Sequence, residues 1–224
     1  MMRTVPVQRS SLRQQVADAL REEMLTGRLP AGGRFTVKEI AELYEVSATP
    51  VREALVDLAA QGLLEVEHHR GFQVRRFTLA EYEEMVAARA LVVQGVFRRA
   101  RDGREEGVPP PVLSSVRRRA EAATRAASAG ELDVLIGCDL RFWRELGTLI
   151  RNPPINDFLD RLRVQGWMFT VPLLRGQPDP AGLCWDQHLP LVDAIDSGDL
   201  PSARRIVGEY HSGSLELMRR LSGE

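Results

Sequence analysis

The spacing of apolar residues changes once along this chain, near Thr78. Before that point, three stretches with helical spacing precede two short apolar runs, residues 63–66 and 72–74, which a polar turn separates as in a β-hairpin. After it, helical spacing continues to the end without a strand pattern. We therefore predict a mainly α protein with a winged helix-turn-helix domain over residues 1–77 and an all-helical antiparallel bundle over residues 78–224. The helices predicted in the bundle lie near 78–101, 109–128, 130–148, 154–170, 180–197 and 200–221.

The composition narrows the function classes. A net charge of −1 argues against a protein that coats nucleic acid, so any DNA binding must come from a local patch of positive charge. Cys138 and Cys184 are the only cysteines and lack the spacing of a disulfide framework or a cysteine-rich zinc site. The chain has no run of about 18 apolar residues and no signal-peptide pattern, so we expect a cytoplasmic protein without a membrane partner.

The stretch that begins at Ser47 has the pattern of a helix that reads DNA. Ser47 is a candidate N-cap, and Val51 and Leu55 continue at helical spacing as an apolar underside. The first turn carries small or hydrogen-bonding side chains on its outer face, as a helix in the major groove requires. The alternative for each of these side chains is a solvated surface group, and Glu53 could hold Arg52 in an ion pair. Arg34 and Lys38, near the start of the preceding helix, are placed to contact backbone phosphates. The predicted base and phosphate contacts of these two helices are Arg34, Lys38, Ser47, Ala48, Thr49 and Arg52.

The run Ser47-Ala48-Thr49-Pro50-Val51-Arg52-Glu53-Ala54-Leu55 combines capping, groove-facing and core positions. Together with the pattern from Leu12 to Gly32, it resembles the N-terminal domain of the GntR family of bacterial regulators over residues 10–76. The resemblance implies a recognition helix that reads a palindrome, and a wing tip that enters the minor groove. Many relatives have arginine where this chain has Ala48, so a base contact could be missing there. The wing-tip residues predicted to contact DNA are His69, Arg70 and Gly71, and plain exposed wing residues are the alternative for His69.

A second set of residues lies in the predicted bundle: Arg89, Asp139-Leu140-Arg141-Phe142-Trp143, Asp186-Gln187-His188, Asp193-Ala194-Ile195, Ala203 and His211. In order and spacing they resemble the helical effector domain, FCD-like, of the fatty-acid-regulator-like branch of that family. The resemblance implies an effector pocket with one divalent metal ion, zinc, nickel or manganese. Asp139, His188 and His211 match three of the ligands, while Trp143 stands where a histidine is expected. The alternative is that these polar groups hydrogen-bond the effector directly.

Arg89 is a candidate clamp for a carboxylate effector, because guanidinium and carboxylate pair bidentately. A surface salt bridge is the alternative for this arginine. The aromatic residues of the bundle either pack in its core or form a cage around a ligand; they are Phe142, Trp143, Trp167, Phe169 and Trp185. The predicted effector-binding residues are Arg89, Asp139, Trp143, His188 and His211.

These patterns predict a transcriptional regulator, not an enzyme. The resemblance implies a metabolite-responsive repressor that binds a short palindromic operator as a homodimer. One alternative is a metal-dependent enzyme that uses Asp139, His188 and His211. Another is a DNA-binding architectural protein without an effector, which a helical domain without a cavity would favour.

Overall fold

The computed structural model describes residues 11–67, 70–101 and 110–223. Contacts between residues divide the chain into two compact units, residues 1–76 and 77–224. In the first unit the elements are α1 (Leu12–Leu25), β1 (Arg34–Phe35), α2 (Val37–Leu43), α3 (Ala48–Ala60), β2 (Leu64–Glu67) and β3 (Gly71–Val74). In the second they are α4 (Leu79–Arg101), α5 (Pro110–Ala129), α6 (Leu132–Gly147), α7 (Pro153–Arg175), α8 (His188–Asp196) and α9 (Leu200–Ser222).

Local capping explains where the helices of the first unit begin. The side chain of Ser11 accepts a hydrogen bond from the backbone of Gln14 at the start of α1, and Thr36 and Glu39 form a capping box at the start of α2. Helix α3 packs against α1 and α2, and four of its apolar residues, Val51, Ala54, Leu55 and Leu58, are fully buried. Three helices with a small sheet confirm the prediction of a winged helix-turn-helix.

The sheet of the first unit has the antiparallel order β1-β3-β2. Phe35 of β1 pairs with Phe72, and Leu64 of β2 pairs with Val74, so the wing hairpin is joined to the helices through a third strand. Only β2 and β3 were expected, because a two-residue strand such as β1 is too short to show a period of two. The hairpin tip at residues 68 and 69, including the predicted contact His69, lies outside the described residues.

The second unit consists of helices alone in the part of the chain that the structure describes, which confirms the all-helical prediction. Helix α5 packs against α6 and α8, while α4 packs against α7 and α9. Residues 180–187 were expected to be helical but form turns and irregular backbone, because Gly182 adopts a positive φ of 69°, and α8 begins only at His188. Conversely, α7 runs on to Arg175, past the predicted end at residue 170.

No helix within the described ranges is both long and apolar enough to span a membrane.

Candidate functional site

The first turn of α3 presents polar side chains outward over an apolar underside. Ser47 occupies the N-cap position without a side-chain capping bond, and Thr49 and Arg52 are exposed. Val51 and Leu55, on the opposite face, have no exposed surface. Over the ranges that the structure covers, Arg52 has no hydrogen-bond or ion-pair partner, and Glu53 does not hold it. We call residues 47–52 the recognition turn.

An open groove in the first unit brings five of the predicted DNA contacts together. Its lining includes Lys38, Ala48, Arg52, Arg70 and Gly71. Two glutamates, at positions 42 and 45, also line the groove, and the first of them lies 3.7 Å from the ammonium of Lys38. The groove is therefore only weakly positive, and contact with DNA has to depend on where its cations stand.

Two of the predicted contacts, Arg34 and Gly71, also have structural roles. Arg34 lies in β1 with its guanidinium 2.9 Å from Glu67, although more than half of the side chain is exposed. Gly71 has a φ of 100°, and a Cβ added there would stand 2.4 Å from the carbonyl oxygen of Phe35. Only glycine fits this close approach of β3 to β1, which accounts for Gly71 on structural grounds.

In the second unit, the carboxylate of Asp139 on α6 is buried and accepts a hydrogen bond at each of its oxygens. Its Oδ1 accepts from the indole Nε1 of Trp143 at 2.9 Å, and its Oδ2 accepts from the indole Nε1 of Trp167 at the same distance. The Nε2 of His188, at the start of α8, lies 3.1 Å from Oδ1. The three contacts join α6, α7 and α8 through one charged group, and Nδ1 of His188 is left without a partner.

These contacts do not fit the metal site implied by the resemblance. An indole N–H donates a hydrogen bond but has no lone pair for a metal, and Trp143 and Trp167 direct such donors at both oxygens of Asp139. Within the described ranges, no three His, Cys, Asp or Glu side chains are grouped closely enough to hold an ion. The set Asp139, His188 and His211 is therefore not arranged as the ligands of a divalent cation.

Two arginines are buried close to this group. Arg89 on α4 and Arg163 on α7 are only 3% and 5% exposed. Nη1 of Arg89 donates to the hydroxyl of Tyr210 at 3.4 Å, while the guanidinium of Arg163 lies 4.4 Å from the ring centroid of Trp143. Neither arginine is paired with a carboxylate in the described part of the chain, and the Nε of each has no partner.

The charges of this region follow from its burial. Burial lowers the pKa of Arg163 to about 10, so the guanidinium remains charged at neutral pH. Burial also raises the pKa of Tyr210, which keeps its hydroxyl protonated. For His211, burial and the two nearby guanidiniums lower the pKa to about 3, so its ring is neutral and its Nε2 has no partner.

A cavity of about 200 Å³ lies beside the two arginines. Arg89, Arg163 and Tyr210 supply polar groups to its wall, and the indoles of Trp167 and Trp185 line it as well. We call it the arginine cavity. Of the residues predicted to bind an effector, only Arg89 lines it; Asp139, Trp143, His188 and His211 do not. Trp143 instead borders a second, mostly apolar cavity of about 540 Å³, which Arg163 also borders.

Sequence reasoning missed Arg163 and Tyr210. The detectable signal was a charged residue within an apolar stripe: Leu159, Arg163 and Trp167 follow one another at intervals of four on α7. Arg89 stands in an equivalent stripe, four residues after Met85 on α4. An arginine on the buried face of a helix requires a counter-charge or a ligand, and this criterion would have selected both.

Comparisons with known proteins match both units. Residues 12–74 match the family described as "Bacterial regulatory proteins, gntR family", and residues 84–212 match the FCD domain. A protein of Paenarthrobacter nicotinovorans named "Probable D-xylose utilization operon transcriptional repressor" is 29% identical over 191 residues, which are 85% of this chain and 81% of that relative. The "HTH-type transcriptional repressor RspR" of Escherichia coli K12 is 23% identical over 215 residues, 94% of this chain and 90% of that protein.

Among solved structures, that of E. coli McbR/YncC superposes with a TM-score of 0.79, covering 95% of this chain and 99% of that one at 22% identity. This likeness supports the fold alone. The family matches establish membership as well as fold, since the FCD domain by itself spans more than half of the 224 residues. The chain belongs to the GntR family of bacterial regulatory proteins, with a GntR DNA-binding domain followed by an FCD domain, and is a transcriptional regulator.

Proposed function

We propose that this protein is a transcriptional repressor that binds a short, near-palindromic operator as a homodimer and responds to a small carboxylate effector. In this proposal residues 1–77 bind DNA, and residues 78–224 bind the effector and dimerise. The observation that carries it is the recognition turn, where Thr49 and Arg52 are exposed and unpaired over a fully buried underside. Two relatives are named as repressors, which supports repression rather than activation.

On DNA, α3 lies in the major groove. The fork of Arg52 suits the O6 and N7 atoms of a guanine, and the hydroxyls of Ser47 and Thr49 reach a base or a phosphate. Lys38 and Arg70 line the same groove of the first unit and contact phosphates on either side. Arg34 joins them by exchanging its ion pair with Glu67 for a phosphate, and the wing tip with His69 and Gly71 follows the minor groove.

The effector acts through the second unit. Arg89 lines the arginine cavity without a carboxylate partner, so it is free to bind the carboxylate of a ligand. A two-fold dimer sets two recognition helices about 34 Å apart, one turn of DNA. An effector that favours one spacing of these helices by roughly 1–3 kcal/mol changes operator occupancy substantially.

The presence of a cavity in the second unit argues against an architectural protein without an effector. The alternative of a metal-dependent enzyme has no support among the relatives, and the indole hydrogen bonds of Asp139 oppose it. We therefore assign no catalytic residue, and we place the protein in the cytoplasm with its operator.

Fluorescence anisotropy with labelled DNA from the region flanking its own gene tests this proposal. We expect Arg52→Ala to weaken operator binding about 10- to 100-fold and to relax the preference at one base pair. Arg28→Ala is the matched control, since it removes an exposed guanidinium that does not line the groove. Unchanged affinity and sequence preference in the Arg52 variant, with the fold intact, would refute the assigned role.

A further inference from the structure

We infer that Arg89 and Arg163 together form a metal-independent site for the effector, whose anionic group binds between the two guanidiniums while a small apolar or aromatic body fills the arginine cavity. This inference rests on the proposed function and deepens it, because it names the chemistry of the ligand and a second binding residue. Arg163, which no resemblance pointed to, replaces the positive charge that a metal would provide.

The balance of buried charge requires an anion. Among the described residues, the two buried guanidiniums of Arg89 and Arg163 have one buried carboxylate near them, that of Asp139. The partly exposed Asp160 also acts on Arg163, but it is paired with Arg144. Asp139 is also occupied, because its oxygens accept from two indoles and contact His188. A buried charge without a partner is strongly unfavourable, so this part of the fold retains a positive charge that a bound anion would compensate.

The geometry suits a planar anion. Arg163 is held against the ring of Trp143 at 4.4 Å, and Arg89 is held beside Tyr210, with its Cζ 5.7 Å from the ring centroid. Ring contacts of this kind leave the N–H groups at the edge of a guanidinium available, and the Nε of each arginine has no partner. Both charges act on the same neighbours, since each contributes to the pKa of His211 and of Tyr210.

Trp143 contacts both the buried carboxylate of Asp139 and the second arginine, Arg163. Its indole stands at the position where the resemblance calls for a histidine ligand, donates to Asp139, and supplies the ring on which Arg163 rests. Trp143 therefore donates a hydrogen bond to the carboxylate of Asp139, which a metal ion would need as a ligand, and it also positions the guanidinium of Arg163. Its indole thereby links the occupied carboxylate of Asp139 to the buried guanidinium of Arg163.

The cavity limits the size and polarity of the ligand. At about 200 Å³ it is smaller than the roughly 300–1,000 Å³ typical of drug-sized pockets, so it admits a compact molecule. Away from the arginines its wall is mostly apolar, with Trp167, Leu174, Leu183, Trp185, Leu217 and Met218. We therefore expect a small carboxylate with an apolar body rather than a sugar or a cationic metabolite.

Calorimetry on chelator-treated protein provides the test, with benzoate as the first probe, benzamide as its neutral match, and a panel of linear and branched monocarboxylates. We expect at least one carboxylate to bind and benzamide not to bind. Arg163→Met and Arg89→Met should each weaken that binding about 10- to 100-fold, the range for a hydrogen bond to a charged group. Arg161→Met is the matched control, because Arg161 lies on the same helix but is exposed.

A second measurement separates a binding residue from a structural one. If the charge of Arg163 is present for a ligand, Arg163→Met should keep or raise the melting temperature of the ligand-free protein, because it removes an uncompensated buried charge. A clear fall in that temperature would instead show a structural role and overturn the inference. Arg163→Lys should retain part of the affinity, because it keeps the charge but not the planar fork.

Three further results would overturn the inference: no carboxylate of the panel binding up to about 10 mM, zinc or manganese being required for binding, or Arg89→Met binding as the parent does. The last result would place the anion in the larger cavity, which Arg163 borders and Arg89 does not. Calorimetry needs no DNA, so a failure of this site and a failure of operator binding are seen separately.

Discussion

The recognition turn and the arginine cavity both depend on arginine, but in opposite settings. Arg52 is exposed on the first turn of α3 and has no partner to lose in the described structure, whereas Arg163 is buried and, among the described residues, has no carboxylate in hydrogen-bond contact. Water solvates the charge of Arg52 in the absence of DNA, so that residue adds little to the stability of the fold. The charge of Arg163 is shielded from water, so the same charge that would bind an anion also lowers the stability of the ligand-free fold.

This difference separates two kinds of mutational effect. Changes in the recognition turn should alter DNA affinity with little change in the free energy of unfolding, as is usual for surface substitutions. Changes around the cavity should alter stability first, and ligand binding together with it. All three tryptophans of the chain, at positions 143, 167 and 185, lie in the second unit, so their fluorescence reports on its unfolding alone.

The largest effect is expected at the buried carboxylate. Asp139→Ala leaves two indole N–H groups and His188 without their acceptor and removes a buried anion near Arg163. We expect the free energy of unfolding of the second unit to fall by about 3–5 kcal/mol in urea titrations followed by tryptophan fluorescence. Asp133→Ala, an exposed change on the same helix, should cost less than about 1 kcal/mol. Similar losses in both variants would show that the buried hydrogen bonds of Asp139 are not the source of its effect.

The next effect is a dependence of stability on pH. Because the pKa of His211 is lowered from 6.5 to about 3 in the folded protein, the unfolded chain binds more protons between these values, and stability falls as the pH falls. Between pH 7 and pH 5 the loss should be about 2 kcal/mol. In His211→Gln the slope in this interval should be reduced by this contribution. An unchanged slope in that variant would show that His211 is not the group responsible.

How far the sequence alone predicts each region also follows from this contrast. The recognition turn was predicted residue by residue, because an N-cap and an apolar stripe are local properties of α3, between Ser47 and Leu58. The buried network could not be predicted in this way. Its contacts join residues distant in sequence, such as Arg89 and Tyr210, and periodicity does not specify which helix faces meet.

The resemblance suggested that Asp139 and His188 lie at a buried site. It did not suggest that Asp139 accepts hydrogen bonds from two indoles there. Nothing in the spacing showed that the indole of Trp167, 28 residues along the chain, would donate a hydrogen bond to Asp139. The turns at residues 180–187 were missed for another reason. A helical pattern of apolar residues extended over them, while the positive φ of Gly182 ends any regular helix there.

A smaller effect, confined to the first unit, is expected for Ala48→Arg. Ala48 is exposed at the start of α3 and lines the groove beside Arg52, so an arginine there gains reach to a base edge without burying its charge. We expect a new preference of about 1–3 kcal/mol at one operator position and a change in unfolding free energy below about 0.5 kcal/mol. Selection of preferred sites from a randomised operator library measures the first quantity. A variant with the parent's preference would place residue 48 away from the bases.

The smallest effect is expected for Lys38→Ala. The side chain of Lys38 is 84% exposed and its ammonium lies 3.7 Å from Glu42, so we expect its loss to change neither stability nor the reading of bases. If Lys38 neutralises one phosphate, the slope of log affinity against log salt should fall by about 1, equally for operator and random DNA. Arg52→Ala, by contrast, should weaken binding to the operator more than binding to random DNA. A loss of discrimination in the Lys38 variant would mean that the groove reads sequence through α2 as well, because a phosphate contact has no means of distinguishing one base pair from another.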